Sequence, residues 1–554
     1  MDNAHPGPPG SGETMTLEQQ TLGLDDESLD FVLQTLKTIA ERKLDAETRM
    51  RLDAEDTFPS ELMQELLGPE VGLHLLFLPE DVGGLGGGGR DLLRVSEEMA
   101  RIDLGVATAF LAIALGVDPI IVGGTHEQKQ RWLGRIAEEG MIVGYAVTEP
   151  AAGSNVASLA TIAEPITDSE GKVSAYKITG TKQFITNGGV ADLYTVLAKT
   201  PGGPSFFVVE RSAAGIDIGS HEVKHGIRAS NTTQVIFEDV EVTADQLIGL
   251  EEGHGLNQAN AVFGFTRLMV AAFGLGAGEE AIDRAIQYAH ERMQFGEILF
   301  AKQGFTHKLI VPHVVRLEAA RAYCEMIARR LDGGEKGLQV EGAIAKLFAT
   351  EAGNEAADAA IQAHGGYGYT HEYEVEKIRR DVRITTIYEG TSEILQSIIG
   401  THRWRMNVRS KGQFYRDMAQ KVQDSATGTA ATLAAQALAE LFMLSHTTKL
   451  PREQWAMFEL ARLAAEVETA IQFSLKADED SSQQSEFFDI CARLHGMSAA
   501  RDVAQTGLRL LLASGRYDSD VIKQWREAAA FEACLAASVG EMALMDRLVE
   551  ILGR

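Results

Sequence analysis

Along 554 residues the hydrophobic periodicity changes twice, and these changes of texture constrain the fold more than any single motif. From Asp25 to Leu67, Phe31, Leu33, Leu36 and Ile39 recur at mostly three-residue spacing, the pattern of one helix face. Asp91 to Leu115 and Glu127 to Glu139 also read as helices. Near Met141 the pattern turns to short Val-, Ile-, Phe- and Thr-rich runs bounded by turn residues. Examples are Val173–Thr179, Leu193–Lys199, Ser205–Glu210 and Thr233–Phe237. Several short strands at this spacing predict a small β-barrel or sandwich. Helical periodicity returns near His254, and Asn257–Gln294, Gln303–Asp332, Gln339–Ala363 and Ser392–Met406 predict long amphipathic helices of a bundle. A polar region, Lys411 to Gly428, leads to a further helical block with Leu460, Leu463, Val467, Ala470 and Ile471 on one stripe. The expected architecture is α+β and multidomain. It comprises a disordered leader (1–24), an N-terminal α-helical domain (25–142), a middle β domain (143–248), a four-helix-bundle-like domain (249–410) and a helical C-terminal extension (411–554).

Lys and Arg number 51 against 79 Asp and Glu, a formal net charge of −28. Such a surface repels nucleic acid and anionic lipid. Cys324, Cys491 and Cys534 have no paired spacing, so neither a metal site nor a disulfide framework is expected. No apolar run approaches the roughly 20 residues of a membrane span, so none is expected. Met1 to Gln20 is rich in Gly and Pro and has no Lys or Arg, so a cytoplasmic protein is expected.

Four segments carry the candidate chemistry. Tyr145-Ala146-Val147-Thr148-Glu149-Pro150 opens the β region, and the small residues Ala151, Ala152 and Gly153 after it allow a bulky ligand close to the backbone. Gly180 to Gly189 reads as a second loop, with Phe184 and Thr186 suited to a flat heteroaromatic ring. A glycine-rich turn, Gln362 to Tyr369, precedes Arg380-Asp381-Val382-Arg383-Ile384-Thr385-Thr386-Ile387-Tyr388-Glu389-Gly390-Thr391. Each alone is an ordinary loop more often than a site. Gly84 to Gly89 formally fits a dinucleotide pattern, but it lies among helices and outside any βαβ unit, so it reads as a surface loop.

In this order and at these separations the segments resemble the acyl-CoA dehydrogenase family, from about Asp25 to Arg405. Gly226 to Thr232 running into Phe237-Glu238-Asp239-Val240, and Glu291 to Gly296 followed by Gln303, agree with it. The extension from Lys411 resembles, more weakly, that of the long-chain, membrane-associated members. The resemblance implies an FAD cofactor lined by Tyr145, Val147, Thr148 and Ser154, with Phe184 standing where tryptophan is usual and Thr186 two residues on. Asn155 departs from the usual aspartate. Arg292, Phe295, Gln303, Gln362 and Gly366 match residues that reach the FAD of a neighbouring subunit, which implies a homo-oligomer, a dimer before a tetramer. Thr391 and Glu393 match flavin contacts, and Ser154, Arg267, Tyr388 and Gly390 are placed around the substrate. The family's base lies either before the glycine, here Glu389, or on an earlier helix, where Thr266 cannot act as one. The implied reaction is α,β-dehydrogenation of an acyl-CoA in fatty acid β-oxidation, with an electron-transfer flavoprotein as acceptor. The apolar segment Gly105 to Leu115 would floor a pocket for a hydrocarbon acyl group. An oxidase using O2, or a non-catalytic assembly protein, shares the same outline.

Overall fold

The computed structural model describes residues 23–553, without the side chains of residues 263–265; residues 1–22 of the expected leader lie outside the described residues. Six helices come first: α1 (Asp26–Lys43), α2 (Ala46–Glu55), α3 (Ser60–Leu67), α4 (Gly89–Ile102), α5 (Leu104–Gly123) and α6 (His126–Glu139). Asp25, Asp45, Asp103 and Thr125 each cap a helix by accepting a backbone N–H, which ends the preceding loop sharply. On α1 the buried stripe is Leu29, Leu33, Leu36 and Ile39. Phe31 is 73% exposed, against the sequence reading. It sits two residues from Leu29 and Leu33, about 200° round the helix from either.

The chain then forms β1 (Val143–Ala146), β2 (Ile162–Thr167), β3 (Val173–Thr186), β4 (Leu193–Thr200), β5 (Gly203–Glu210), β6 (Ile216–His221) and β7 (Thr232–Thr243). They make one seven-stranded sheet in the order β1-β4-β2-β3-β7-β6, with β5 paired to β4. Strand β1 lies parallel to β4, whereas β3 pairs antiparallel with β2 and β7. The sheet encloses its own core of Tyr176, Ile178, Tyr194, Val196, Phe207, Val235 and Phe237.

Helix resumes as α7 (Gly255–Glu291), followed by a two-residue hairpin, β8 (Met293–Gln294) and β9 (Glu297–Ile298), then α8 (Gln303–Leu309), α9 (Val311–Asp332), α10 (Gln339–His364), α11 (Val375–Val382) and α12 (Ser392–Arg409). The single helix expected over Gln303–Asp332 breaks at Ile310 because Pro312, in the first turn of α9, has no N–H to continue the ladder. The extension supplies α13 (Gln413–Gln420), α14 (Thr429–Thr447), α15 (Gln454–Glu479), α16 (Ser485–Ser514), α17 (Ser519–Ala528), α18 (Phe531–Ala536) and α19 (Glu541–Leu552). Helix α13 falls inside the polar region and buries Tyr415 completely.

Among the described residues, α5 and α7 are each long and apolar enough by length and composition to cross a membrane, as is the bent run from α17 through α19 if taken as one span, which corrects the sequence reading. Helices α5 and α7 serve instead as core, with 78% and 93% of their apolar windows buried in the protein. Helices α7 and α10 run parallel in close contact, since Gly274 meets Gly353 and Gly278 meets both Gly353 and Ala356. A Cβ on Gly353 would lie 2.1 Å from the Gly274 carbonyl oxygen, and one on Gly276 would lie 2.1 Å from that of Glu97 in α4. The extension is joined to the bundle by buried charge. Arg403 (α12) donates to both carboxylate oxygens of Glu468 (α15) at 2.7 and 2.8 Å, and Tyr415 and Tyr323 donate to the same carboxylate at 3.1 and 3.2 Å.

Two substitutions probe these contacts. Glu468→Ala leaves Arg403 buried without its main partner and should lower the unfolding free energy by about 3–5 kcal/mol, read by denaturant titration. Gly353→Ala should destabilise by about 1–3 kcal/mol or more through overpacking; an unchanged denaturation midpoint would show that the two helices are free to separate.

Candidate active site

Glu389 follows the short 3-10 turn Arg383–Thr386 and takes a left-handed backbone conformation, φ 54°, with Gly390 after it at φ 98°. Left-handed backbone is unfavourable for a residue with a Cβ, so surrounding contacts must hold it. Three elements do so. From α7, Thr266, itself buried, donates from Oγ1 to Glu389 Oε2 at 3.1 Å. The buried Arg267 beside it donates to the Gln339 carbonyl at 3.1 Å and lies within electrostatic reach of Glu389. From α10, the fully buried Lys346 donates to the Gly390 carbonyl at 2.8 Å. Thr391 then caps α12, its Oγ1 accepting the Ile394 N–H at 3.4 Å.

Burial pushes the Glu389 carboxyl above the ordinary range, opposed by the Thr266 hydrogen bond and the Arg267 and Lys346 charges. On the α5 side Asp118 is pushed well above its ordinary value by burial and by Glu389. Tyr145 on β1 is likewise raised by burial and by the Glu389 and Asp118 charges. Burial also raises Tyr388, whose hydroxyl is buried without a hydrogen-bond partner among the described residues. The Tyr145 hydroxyl and Asp118 Oδ2 are buried with no hydrogen-bond partner among the described residues.

Next to Tyr145 the two β-region segments are stitched together. Gln183 N donates to the Thr148 carbonyl at 2.8 Å, and the fully buried Lys182 donates to Glu149 at 2.8 Å and to the carbonyls of Val147 and Leu197 at 3.2 and 2.6 Å. Burial lowers Lys182 to about 8 against the pull of Glu149. The expected loop from Gly180 is in fact the continuation of β3, interrupted by register shifts between Ile178 and Gly180 and between Lys182 and Ile185. The second irregularity places Phe184 at φ 58° and leaves its ring 63% exposed. Extra residues in a strand re-aim side chains in this way. Asn187 then anchors the end of β3 to α5, donating to the Ala109 carbonyl at 2.8 Å.

The predicted site residues fall into separate groups. Tyr145, Arg267, Tyr388, Glu389 and Gly390 converge, with Val147 and Thr148 just after β1 and Phe184 and Thr186 on β3. Ser154 and Glu393 are exposed. Arg292, at the far end of α7, is about 39 Å along the helix from Thr266. It lies over the Tyr367 ring at 6.0 Å, near exposed Gln362 and Gly366, and Phe295 is 97% exposed at φ 55°. Gln303 donates to Asp546 of α19 at 2.8 Å, so the extension reaches this second patch. Sequence reasoning missed Lys346 and Asp118. Each is a lone charge in an apolar helical run, Ala343-Ile344-Ala345-Lys346-Leu347-Phe348 and Ala112 to Ile121, and that isolation was the available signal.

Helices on either side of a sheet and a buried carboxyl in a left-handed turn, with an unpartnered phenol on the adjoining strand, make up the candidate site. The comparisons make this specific. Residues 26–140 match the acyl-CoA dehydrogenase N-terminal domain, 144–240 its middle domain and 253–403 its C-terminal domain. An acyl-CoA dehydrogenase of Bacillus subtilis (strain 168) is 36% identical over 359 residues, covering 63% of this chain and 91% of that protein. An acryloyl-CoA reductase (NADH) of Anaerotignum propionicum is 35% identical over 393 residues, covering 70% and 98%. The crystal structure of an acyl-CoA dehydrogenase complexed with FAD from Bacillus anthracis superposes with a TM-score of 0.81 at 22% identity over 98% of each chain, so the fold is shared through the extension. This chain belongs to the acyl-CoA dehydrogenase family, a family of FAD-dependent oxidoreductases.

Lys182→Met would leave the Glu149 carboxylate buried beside a hydrocarbon. It should lower stability by about 3 kcal/mol, measured as a fall in the chemical-denaturation midpoint.

Proposed function

We propose that this protein is an acyl-CoA dehydrogenase in which Glu389 removes the α-proton of an acyl-CoA thioester and FAD takes up the β-hydrogen. The observation that carries the reading is the environment of Glu389: a carboxyl in a strained turn, pushed up by burial, with Thr266 donating to it instead of competing as a base. An α-proton next to a thioester is weakly acidic, and a partly desolvated carboxylate with a raised pKa is a better base for it than an exposed one. The α-proton moves to Glu389 Oε1 or Oε2, with Thr266 and the cations of Arg267 and Lys346 holding the carboxylate in its ionised form before the transfer.

The residues present fit the cofactor. The re-aimed Phe184 ring and the unpartnered Tyr145 hydroxyl offer a face and a hydrogen-bonding edge to a flat heteroaromatic ring, on strands that Lys182 and Gln183 lock together. When bound, FAD supplies the hydride acceptor. Ser154, Thr186, Thr391 and Glu393 are proposed as further contacts. Because Arg292 stands about 39 Å along α7 from Thr266, with Phe295 beyond it in the β8–β9 turn, their proposed role toward FAD is exercised on a second copy of the chain, which makes the working form at least a dimer. An electron-transfer flavoprotein is proposed as the acceptor of the electrons, and the cytoplasm as the site of action. The same base, run backwards as an acid, would serve reduction of an enoyl-CoA, and the acceptor or donor decides the direction. The apolar face of α5 favours a hydrocarbon acyl group.

Glu389→Gln should keep FAD and acyl-CoA binding and slow substrate-driven bleaching of the flavin by roughly 10²–10⁴-fold. Anaerobic stopped-flow across a panel of acyl-CoAs measures both. Near wild-type bleaching in this variant would refute the assignment. In the wild-type enzyme the rate should fall as pH drops through the raised Glu389 pKa, since only the ionised carboxyl accepts the proton.

A further inference from the structure

Lys346 is fully buried in an apolar stretch of α10, and a buried lysine persists only where a partner repays its desolvation. Its hydrogen bond goes to the Gly390 carbonyl at 2.8 Å, the residue directly after Glu389. Both residues of that turn are left-handed, at φ 54° and 98°. The charged groups facing Lys346 are Glu389 and Glu393 on the segment entering α12, Arg267 on α7 and Glu351 on its own helix. Ser392 donates to Glu351, so that carboxylate is partly engaged elsewhere. Beyond Glu389 stand Asp118 and Tyr145, neither of which supplies positive charge.

We propose that Lys346 is a positioning residue for Glu389: bound to the Gly390 carbonyl, its ammonium locks the left-handed turn that aims the carboxylate and keeps that carboxylate ionised. The inference rests on the reading of Glu389 as the base. Without the bond, the turn is held only by Thr266 on the Glu389 side and by the Thr391 cap beyond Gly390, and Glu389 loses one of its two neighbouring cations. Burial brings Lys346 itself down to about 7, opposed by Glu389 and Glu351, so its charge is not constant across the neutral range.

The test uses the full-length, FAD-loaded enzyme and the straight-chain acyl-CoA that bleaches the wild type fastest. Anaerobic bleaching is followed from pH 5 to 9 in the wild type, Lys346→Met, Lys346→Gln and Lys346→Arg. Lys346→Met should slow bleaching at pH 7 and move the acid limb of the profile up by about one pH unit, the scale of one lost neighbouring charge. Lys346→Gln, which keeps a donor without the charge, should move the limb while retaining more of the rate. Lys346→Arg should leave the limb close to wild type. An acid limb unmoved in both Met and Gln variants overturns the inference, and if the Met variant does not fold the Gln variant alone decides. Failure of Glu389→Gln to slow bleaching would instead sink the base assignment, so the two failures are distinguishable.

A second readout needs no cofactor. A lysine whose pKa falls on folding destabilises the fold fully below its folded pKa, and the penalty disappears as pH rises towards its unfolded value. The melting temperature of the wild-type apoprotein should therefore gain on that of Lys346→Met between pH 7 and 10. A constant gap across that range would show that Lys346 keeps its ammonium throughout, the charged form that the proposal requires.

Discussion

The close contact of α7 with α10 determines where everything else in the site stands. Gly274 against Gly353, and Gly278 against Gly353 and Ala356, bring two backbones together where any side chain would collide. The contact also sets a register. With the helices parallel and locked at these points, the turn of α7 carrying Thr266 and Arg267 lies beside the turn of α10 carrying Lys346. Arg267 reaching the Gln339 carbonyl at the start of α10 is the same register seen from its other end. Gly276 against Glu97 adds α4 to the contact, so the N-terminal helices share this spine.

Onto that spine a carboxyl is placed in a position it would not choose. Glu389 is desolvated, left-handed and faced by a second acid, Asp118. Its ionised form is supported by Thr266, Arg267 and Lys346, and opposed by burial. The balance leaves its pKa above that of a solvated glutamate. The polar atoms without partners, on Tyr145 and Asp118, lie on the side facing α5 and β1. An unsatisfied buried hydroxyl is expensive in a finished core and ordinary in a ligand site. The pieces of the chain meet here through buried charge as well: Lys377 bridges Asp103, the cap of α5, and Asp381 of α11, and Asp381 accepts the Ile227 N–H from the β region at 2.6 Å.

Much of this was legible in the residues and some was not. The order of helices, strands and helices follows from periodicity, because a change from a 3.6-residue to a 2-residue repeat is a local property. Phe31 misled because apolar residues two apart were read as one helix face. The segment after Gly180 misled for the opposite reason: turn-like residues there interrupt a strand with bulges and do not end it. Helix α5 escaped notice as a run of membrane-span length because Asp118 and Pro119 break its apolar pattern, and the structure shows that run to be a core helix. The pattern picks out Arg292 and Gln303, but only the tertiary structure puts Arg292 at the end of α7 remote from Thr266, and Gln303 at the start of α8, held by Asp546 of the last helix.

By itself the sequence determined the fold class, the family and the short list of residues on the candidate site's loops, since each depends on local spacing and residue type. Tertiary structure alone decided which charges surround Glu389. Thr266, Lys346 and Asp118 lie 123, 43 and 271 positions away in the chain, and no local rule couples them. Their proximity comes from helices packed close enough for glycines to touch. The resulting desolvation, a property of all the atoms around a group at once, is what turns a glutamate before a glycine into a candidate base.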